Sequence, residues 1–265
     1  MPDAAAEKPS PKKTTTYLQR SRFPVYSLAL VLPMLLFYEI GIVFVHRAMQ
    51  ARYGYRWSDT SDWLIRRFMG GILEALGRNG FFMSGVLIAA VLVVWQIASR
   101  RSWEVRLGTL VGMLAECAVL ALVLAAAVVL LLDPLLVPEQ MKKPEASVYE
   151  GVTFAEMVFR VGSGVYEEFV FRFVGVGVIA LVVSGAFGLK WKAGLAVGVL
   201  ISALLFSGVH FVGADARAFT AVSFISRAFS GVLFGVIFVT RGFGVAAGTH
   251  VMYNLLCEVF YTLLV

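Results

Sequence analysis

The chain has 265 residues, of which 59% are hydrophobic and 15% are charged. Soluble domains average about 45–50% apolar and about 25% charged residues, so the composition excludes an ordinary soluble domain and indicates a polytopic helical membrane protein. The length suits one helical bundle rather than several domains. The net charge of +6 requires no nucleic-acid partner, because basic residues crowd the short loops that set membrane orientation.

The first part of the chain combines a polar segment with the first apolar run. Residues 1–22 contain Pro, Thr and Lys without hydrophobic periodicity, which predicts a disordered basic tail. Residues 24–45 are too long for a signal-peptide core and no small-residue cleavage site follows, so they predict a membrane span. In the polar loop beyond, residues 62–77 repeat apolar side chains at helical spacing. They predict an interfacial helix, with a re-entrant segment as the alternative.

Six further apolar runs follow, each near the length of about 20 residues that a spanning helix needs. They cover residues 81–98, 107–132, 158–187, 193–212, 219–240 and 245–265. The sequence therefore predicts an all-α transmembrane bundle of about seven spans plus the interfacial helix. We divide it into N-terminal spans with the interfacial helix over residues 23–157 and a C-terminal helical core over residues 158–265.

Loop charge predicts the orientation of this bundle. If the seven spans are right, six basic residues share one side of the membrane: Arg100, Arg101, Arg106, Lys190, Lys192 and Arg241. The opposite loops carry most of the acidic residues. The positive-inside rule then places the amino terminus in the cytoplasm, and we expect an integral protein of the cell (inner) membrane.

Three ionisable residues, Glu167, Glu168 and Arg172, lie inside the fourth predicted span. One such side chain at the centre of a membrane helix costs about 2.5–3.5 kcal/mol on insertion scales, so their retention indicates a function. Arg172 follows Glu168 by four residues, which predicts a pair along the helix. Glu167 points about 100° away on an ideal helix, so we assign it the role of base and Glu168 a supporting role. The alternative for Glu168 and Arg172 is a purely structural ion pair.

Two later spans carry histidines. His210 follows Phe206 by four residues, and His250 precedes Asn254 by four, so each pair shares one helix face. A carboxylate in an apolar site can act as a general base toward water, and the His210 imidazole can hold the same water. His250 and Asn254 can donate hydrogen bonds to the oxyanion formed when a peptide carbonyl is attacked. For Asn254, a helix-bridging role is the alternative.

Other carboxylates in the predicted spans have simpler interpretations. Glu39 and Glu116 stand alone, and we expect them to bridge helices or line a cavity. Glu258 follows Asn254 by four residues and so shares a face with His250. We expect it to orient that histidine or to serve as an alternative metal ligand.

The three motifs, EExxxR at residues 167–172, FxxxH at 206–210 and HxxxN at 250–254, together resemble those of the CPBP family. That family includes the type II CAAX prenyl endopeptidases, relatives of bacteriocin self-immunity proteins and other intramembrane proteases. The resemblance covers residues 158–265. It implies an intramembrane endopeptidase in which Glu167 and His210 activate water, while His250 and Asn254 stabilise the oxyanion. The implied substrate is a membrane-tethered or lipid-modified protein or peptide within the lipid bilayer.

The resemblance leaves the cofactor open, because the family has been described both as metalloproteases and as metal-free glutamate proteases. The sequence has no HExxH motif, the commonest signature of a zinc protease. We expect a metal-free enzyme. The alternative is a zinc site with Glu167, His210 and His250 as its three ligands and one open position.

Two other classes of function remain as alternatives. A proton-coupled transporter also uses Glu, His and Arg inside the membrane, but it predicts an internal repeat, and the first half of the chain has no matching pattern. A non-catalytic immunity or binding protein with the same fold is the third possibility.

Overall fold

The computed structural model describes residues 15–53, 83–140, 154–212 and 219–264. Within these ranges the regular structure is entirely helical, which confirms the predicted all-α class. The predicted interfacial helix at residues 62–77 lies outside the described residues. In chain order the helices are α1 (Tyr17–Arg20), α2 (Pro24–Tyr53), α3 (Met83–Ser99), α4 (Leu107–Gln140), α5 (Phe154–Glu167), a π-helical segment (Glu168–Val176), α6 (Gly177–Phe187), α7 (Trp191–Val209), α8 (Ala221–Arg241) and α9 (Phe243–Leu264).

Five helical stretches in the described part of the chain are long and apolar enough to cross a membrane. They are Pro24–Val45, Leu107–Leu130, Phe154–Phe187, Trp191–Val209 and Ala221–Arg241. The other two predicted spans correspond to α3, which has 17 residues, and α9, which has 22. Neither is one of the five stretches. Both pack against the bundle, α3 on α2 and α9 on α2, α4, α5 and α8.

The outer surface of the bundle is apolar. Leu107, Leu130 and Phe187 are each about three quarters exposed, and many other large apolar side chains are exposed on the same helices. Soluble monomers rarely expose contiguous apolar patches of this extent. The exposed apolar side chains therefore match an integral membrane protein.

The end of the predicted N-terminal tail is folded, so the tail prediction of residues 1–22 extends too far. The hydroxyl of Tyr17, in α1, donates to Oε2 of Glu116 on α4 at 2.5 Å. Arg241, at the end of α8, forms a two-point ion pair with the same carboxylate. These contacts fix α1 to the bundle, because the partly buried Glu116 carboxylate accepts from Tyr17 on α1 and from Arg241 on α8. Residues 1–14 lie outside the described residues.

Glu39 on α2 is a buried carboxylate that also connects helices. Its Oε1 accepts hydrogen bonds from the Tyr166 hydroxyl at 2.6 Å and from the Gly85 amide near the start of α3 at 3.0 Å. It therefore connects α2, α3 and α5 beside the glutamate pair. The expectation that Glu39 and Glu116 bridge helices is confirmed.

Helices α5 and α9 approach each other closely at Gly164. A Cβ atom built on this glycine would lie 2.8 Å from the backbone nitrogen of Val251, which is closer than real Cβ contacts come. Gly164 precedes Glu167 by three residues, and Val251 follows His250 directly. The missing side chain therefore lets the carboxylate-bearing helix approach the imidazole-bearing helix.

Candidate active site

The two adjacent glutamates lie at the junction of two helix types. Glu167 ends α5, and Glu168 begins the π-helical segment that continues to Val176. Such segments are rare and occur frequently at functional sites. The Phe171 carbonyl in this segment accepts a 2.5 Å hydrogen bond from Ser202 Oγ on α7, so part of its backbone is bonded from outside the helix. The change from α-helix to π-helix therefore falls between the two candidate catalytic glutamates.

Glu168 is the centre of a buried ionic network. Its Oε1 lies 2.8 Å from Nδ1 of His250 and 3.3 Å from Nη1 of Arg172. Arg172 also donates through Nη2 to the Gly231 carbonyl on α8 at 3.2 Å. The Glu168–Arg172 pair predicted from the four-residue spacing is thus present, and it is joined by a histidine from α9.

Aromatic rings enclose this network. The guanidinium carbon of Arg172 lies 4.5 Å from the ring centroid of Phe206 and 5.6 Å from that of Phe234, within the range of cation–π attraction. The Phe234 ring also stacks on the His250 imidazole, with centroids 4.2 Å apart and an angle of 18°. These rings fix the His250 plane and exclude water from the Glu168 side of the site.

Glu167 faces two imidazoles, one on each carboxylate oxygen. Oε1 lies 3.9 Å from Nε2 of His210, and Oε2 lies 3.6 Å from Nε2 of His250. Nδ1 of His210 lies 2.7 Å from the Phe206 carbonyl, to which it donates, so in the neutral ring Nε2 carries the lone pair. Both separations exceed a direct hydrogen bond, so a shared water is the group to consider between Glu167 and these imidazoles.

Exposure differs across the site. The side chains of Glu167 and His210 are 18% and 27% exposed, whereas those of Glu168, Arg172 and His250 are 0%, 1% and 5% exposed. The Glu167–His210 side is therefore the one that a substrate can reach. The Glu168 side supports it from within the bundle.

Asn254 lies on the same face of α9 as His250 but is bonded to α5. Its Nδ2 donates to the Arg160 carbonyl at 3.3 Å and to Ser163 Oγ at 3.1 Å. This geometry matches the helix-bridging alternative, and the oxyanion role of Asn254 stays a prediction. The structure thus brings five of the six predicted site residues into one cluster and places the Asn254 amide one turn before Glu167 along α5.

The zinc alternative has suitable donor atoms, since Glu167, His210 and His250 supply one carboxylate and two imidazoles. Among the described residues, however, no group of three or more His, Cys, Asp and Glu side chains is arranged to hold a metal ion. The zinc alternative therefore stays a prediction, and we derive no step through a metal.

Several site features escaped the sequence reasoning. Phe234 and the Gly231 carbonyl lie on α8, where no motif was recognised, although their spacing of three residues puts them on one helix face. Glu258 pairs with Arg160 at 2.6 Å, and this contact was not predicted. Glu258 lies two turns beyond His250 along α9, and the expectation that it orients this histidine stays a prediction.

Residues 151–256 match the family described as type II CAAX prenyl endopeptidase Rce1-like. This range contains all six predicted site residues and most of the region that resembles the CPBP family, so the match confirms the resemblance. No curated protein and no solved structure matches the chain.

Proposed function

We propose that this chain, whose residues 151–256 match the family described as type II CAAX prenyl endopeptidase Rce1-like, hydrolyses a peptide bond of a membrane-tethered substrate with water activated by Glu167. The observation that carries the proposal is the convergence of Glu167 at the end of α5, His210 directly after α7 and His250 on α9. A structural ion pair accounts for Glu168 and Arg172. It does not account for a partly exposed carboxylate with an imidazole beside each oxygen.

In the first step, a water molecule lies between the Glu167 carboxylate and Nε2 of His210. Glu167 accepts one proton from this water while the water oxygen bonds to the carbonyl carbon of the substrate. The carbonyl oxygen takes the electron pair and becomes an oxyanion. In the second step, the C–N bond breaks, and the proton held by Glu167 is transferred to the departing amine, which restores the carboxylate.

His250 is the nearest candidate to stabilise the oxyanion. Its Nδ1 bonds Glu168, which turns Nε2 toward the reacting side, and with both ring nitrogens protonated Nε2–H donates to the oxyanion. Arg172 keeps Glu168 paired in the buried network. The Asn254 amide can be a second hydrogen-bond donor to the oxyanion. For this it must give up its hydrogen bond to either the Arg160 carbonyl or Ser163 Oγ. The site thus divides into a reacting side and a supporting side.

The substrate class follows from the site's location in the bundle and from the family. A peptide reaches Glu167 from within the bilayer, so a lipid-anchored tail is better suited than a soluble peptide. The matching family is named for prenylated CAAX tails, and we propose such a tail as the first substrate to try. The transporter alternative is disfavoured, because the lone carboxylates of the first half, Glu39 and Glu116, are bonded to local partners.

The test uses the full chain in liposomes with an S-farnesylated peptide that ends in cysteine and three further residues. We expect the wild-type protein to cleave the peptide and Glu167→Gln to lose cleavage while keeping its thermal stability. Glu104→Gln is the matched control, because this exposed carboxylate pairs with Arg106 in the loop before α4. Cleavage by Glu167→Gln at the wild-type rate would overturn the proposal. Proteins that accumulate uncut in cells carrying Glu167→Gln would identify native substrates.

A further inference from the structure

A continuous strip of polar side chains runs from the candidate active site along the contact between α5 and α9. On α5 the spacing is three and then four residues, and on α9 it is four and then four, so each set lies on one helix face. The strip consists of Arg160, Ser163 and Glu167 on α5 and of His250, Asn254 and Glu258 on α9.

The members of the polar strip contact each other in antiparallel order. Glu167 faces His250 at 3.6 Å, and the Asn254 amide bonds Ser163 Oγ at 3.1 Å. Beyond them, Glu258 Oε2 accepts from Arg160 Nε at 3.0 Å and from Nη2 at 2.6 Å. Polar groups at membrane depth are costly unless they pair or face a cavity. The strip therefore offers a polar path from Glu167 toward the start of α5.

The most exposed side chain of the strip is at the end farthest from Glu167. The Arg160 side chain is 42% exposed, whereas that of Glu258 is 9% exposed. Among the described residues, the Arg160 side chain bonds only Glu258, and both bonds reach the same oxygen. A guanidinium has five N–H donors and binds carboxylates at two points. Glu258 thus fixes the position of Arg160, and Nη1 is left to bond a second carboxylate.

The distance between Arg160 and Glu167 along α5 indicates which substrate carboxylate Arg160 could bind. Arg160 precedes Glu167 by seven residues, which is a rise of about 10.5 Å at 1.5 Å per residue. An extended peptide covers about 10 Å in three residues. Suppose that the scissile bond of a substrate lies at Glu167 and that its chain then follows the polar strip. The third residue after the scissile bond would then reach Arg160.

We propose that Arg160 binds the free C-terminal carboxylate of a substrate that ends three residues after the cleaved bond. The inference rests on the proposed function, since it places the scissile bond at Glu167. It also agrees with a CAAX sequence, in which three residues follow the cysteine at the end of the chain. Arg160 would then be a specificity-determining residue that measures the length of the released peptide.

The test measures binding without turnover, with the Glu167→Gln full-length protein in lipid nanodiscs. The probes are two S-farnesylated peptides of the same sequence that end in cysteine and three residues, one as the free acid and one as the carboxamide. We expect the acid to bind about tenfold or more tightly, because charge-assisted hydrogen bonds are roughly twice as strong as neutral ones. We expect Arg160→Gln in this background to bind both peptides as weakly as the amide, and Arg160→Lys to restore part of the preference.

Equal binding of acid and amide with Arg160 in place would overturn the inference, and so would a preference that survives Arg160→Gln. Arg160 would in that case be a helix-bridging ion pair with Glu258. The acid–amide comparison needs no substitution at Arg160, so a folding defect of the variant does not obscure it. Cleavage by the wild-type protein is scored separately. A preference in binding without any cleavage would contradict the hydrolase proposal and leave the carboxylate site standing.

Discussion

Nδ1 of His250 lies 2.8 Å from Oε1 of Glu168, and this bond holds the other ring nitrogen of His250 toward Glu167 at 3.6 Å. A single imidazole therefore contacts two adjacent glutamates. Because Nδ1 is engaged on the buried side, Nε2 is the atom that faces the accessible carboxylate. The relationship separates the two glutamates by function, with Glu168 orienting the ring and Glu167 meeting the substrate.

The first prediction concerns the two glutamates. We expect Glu167→Gln to lower the cleavage rate about 10²–10⁴-fold, the range attributed to general acid–base catalysis, with an unchanged melting temperature. Glu168→Gln should instead lower stability by about 3–5 kcal/mol, because it leaves the buried Arg172 charge without its partner. Cleavage assays and thermal unfolding in detergent measure both effects. A stable, inactive Glu168→Gln beside an active Glu167→Gln would exchange the assigned roles.

The fold class could be predicted from sequence because lipid imposes a direct rule. Spanning segments must satisfy their own backbone and stay apolar over about 20 residues. That rule located the predicted runs at residues 24–45 and 107–132, which α2 and α4 confirm as candidate spans. It is less informative for α9, where His250, Asn254 and Glu258 interrupt the apolar pattern.

The contacts between helices could not be predicted in the same way. An ideal α-helix turns Glu167 and Glu168 about 100° apart, yet both contact His250, and the π-helical segment begins between them. Nothing in the local sequence indicates that segment. The pairing of Arg160 with Glu258 depends on the register of α5 against α9. Residue spacing within a single helix does not predict that register.

The second prediction separates the two roles of Asn254. If the amide stabilises the oxyanion, Asn254→Ala should lower kcat about 10²–10³-fold, the effect of removing one such donor. Ser163→Ala is the matched control, since it removes one hydrogen-bond partner of Asn254 but leaves the amide. We expect Ser163→Ala to keep most of the activity. Equal losses in the two variants would indicate that Asn254 only bridges α5 and α9.

The third prediction concerns metals. We expect dialysis against a strong zinc chelator to leave cleavage of the farnesylated peptide unchanged, since the proposed chemistry uses Glu167, His210, His250 and water and requires no metal. The readout is the rate before and after dialysis, together with the metal content of the purified protein. A chelated protein that loses activity and regains it with added zinc would establish the three-ligand alternative with Glu167, His210 and His250.

The fourth prediction concerns alkaline stability at the N-terminal contact of α1. Burial and the hydrogen bond to Glu116 raise the pKa of Tyr17 to about 12, above its ordinary value of about 10. The folded state therefore holds this proton more tightly than the unfolded state. Its contribution to stability is complete below pH 10 and is lost as the pH rises through about 12. Unfolding measured from pH 9 to 12 should show a steeper loss for the wild-type protein than for Tyr17→Phe, and parallel curves would contradict this assignment.

The last prediction concerns Tyr166, the neighbour of Glu167. Its hydroxyl donates to the buried Glu39 carboxylate at 2.6 Å, so Tyr166→Phe removes a charge-assisted hydrogen bond inside the bundle. We expect a loss of about 1.5–3 kcal/mol in the free energy of unfolding, the range for hydrogen bonds to charged groups. The bond connects α5 to α2 and does not contact the reacting side of Glu167, so kcat should stay close to the wild-type value at temperatures where the variant is folded. A variant of normal stability with a greatly reduced kcat would show instead that Tyr166 positions the base during the reaction.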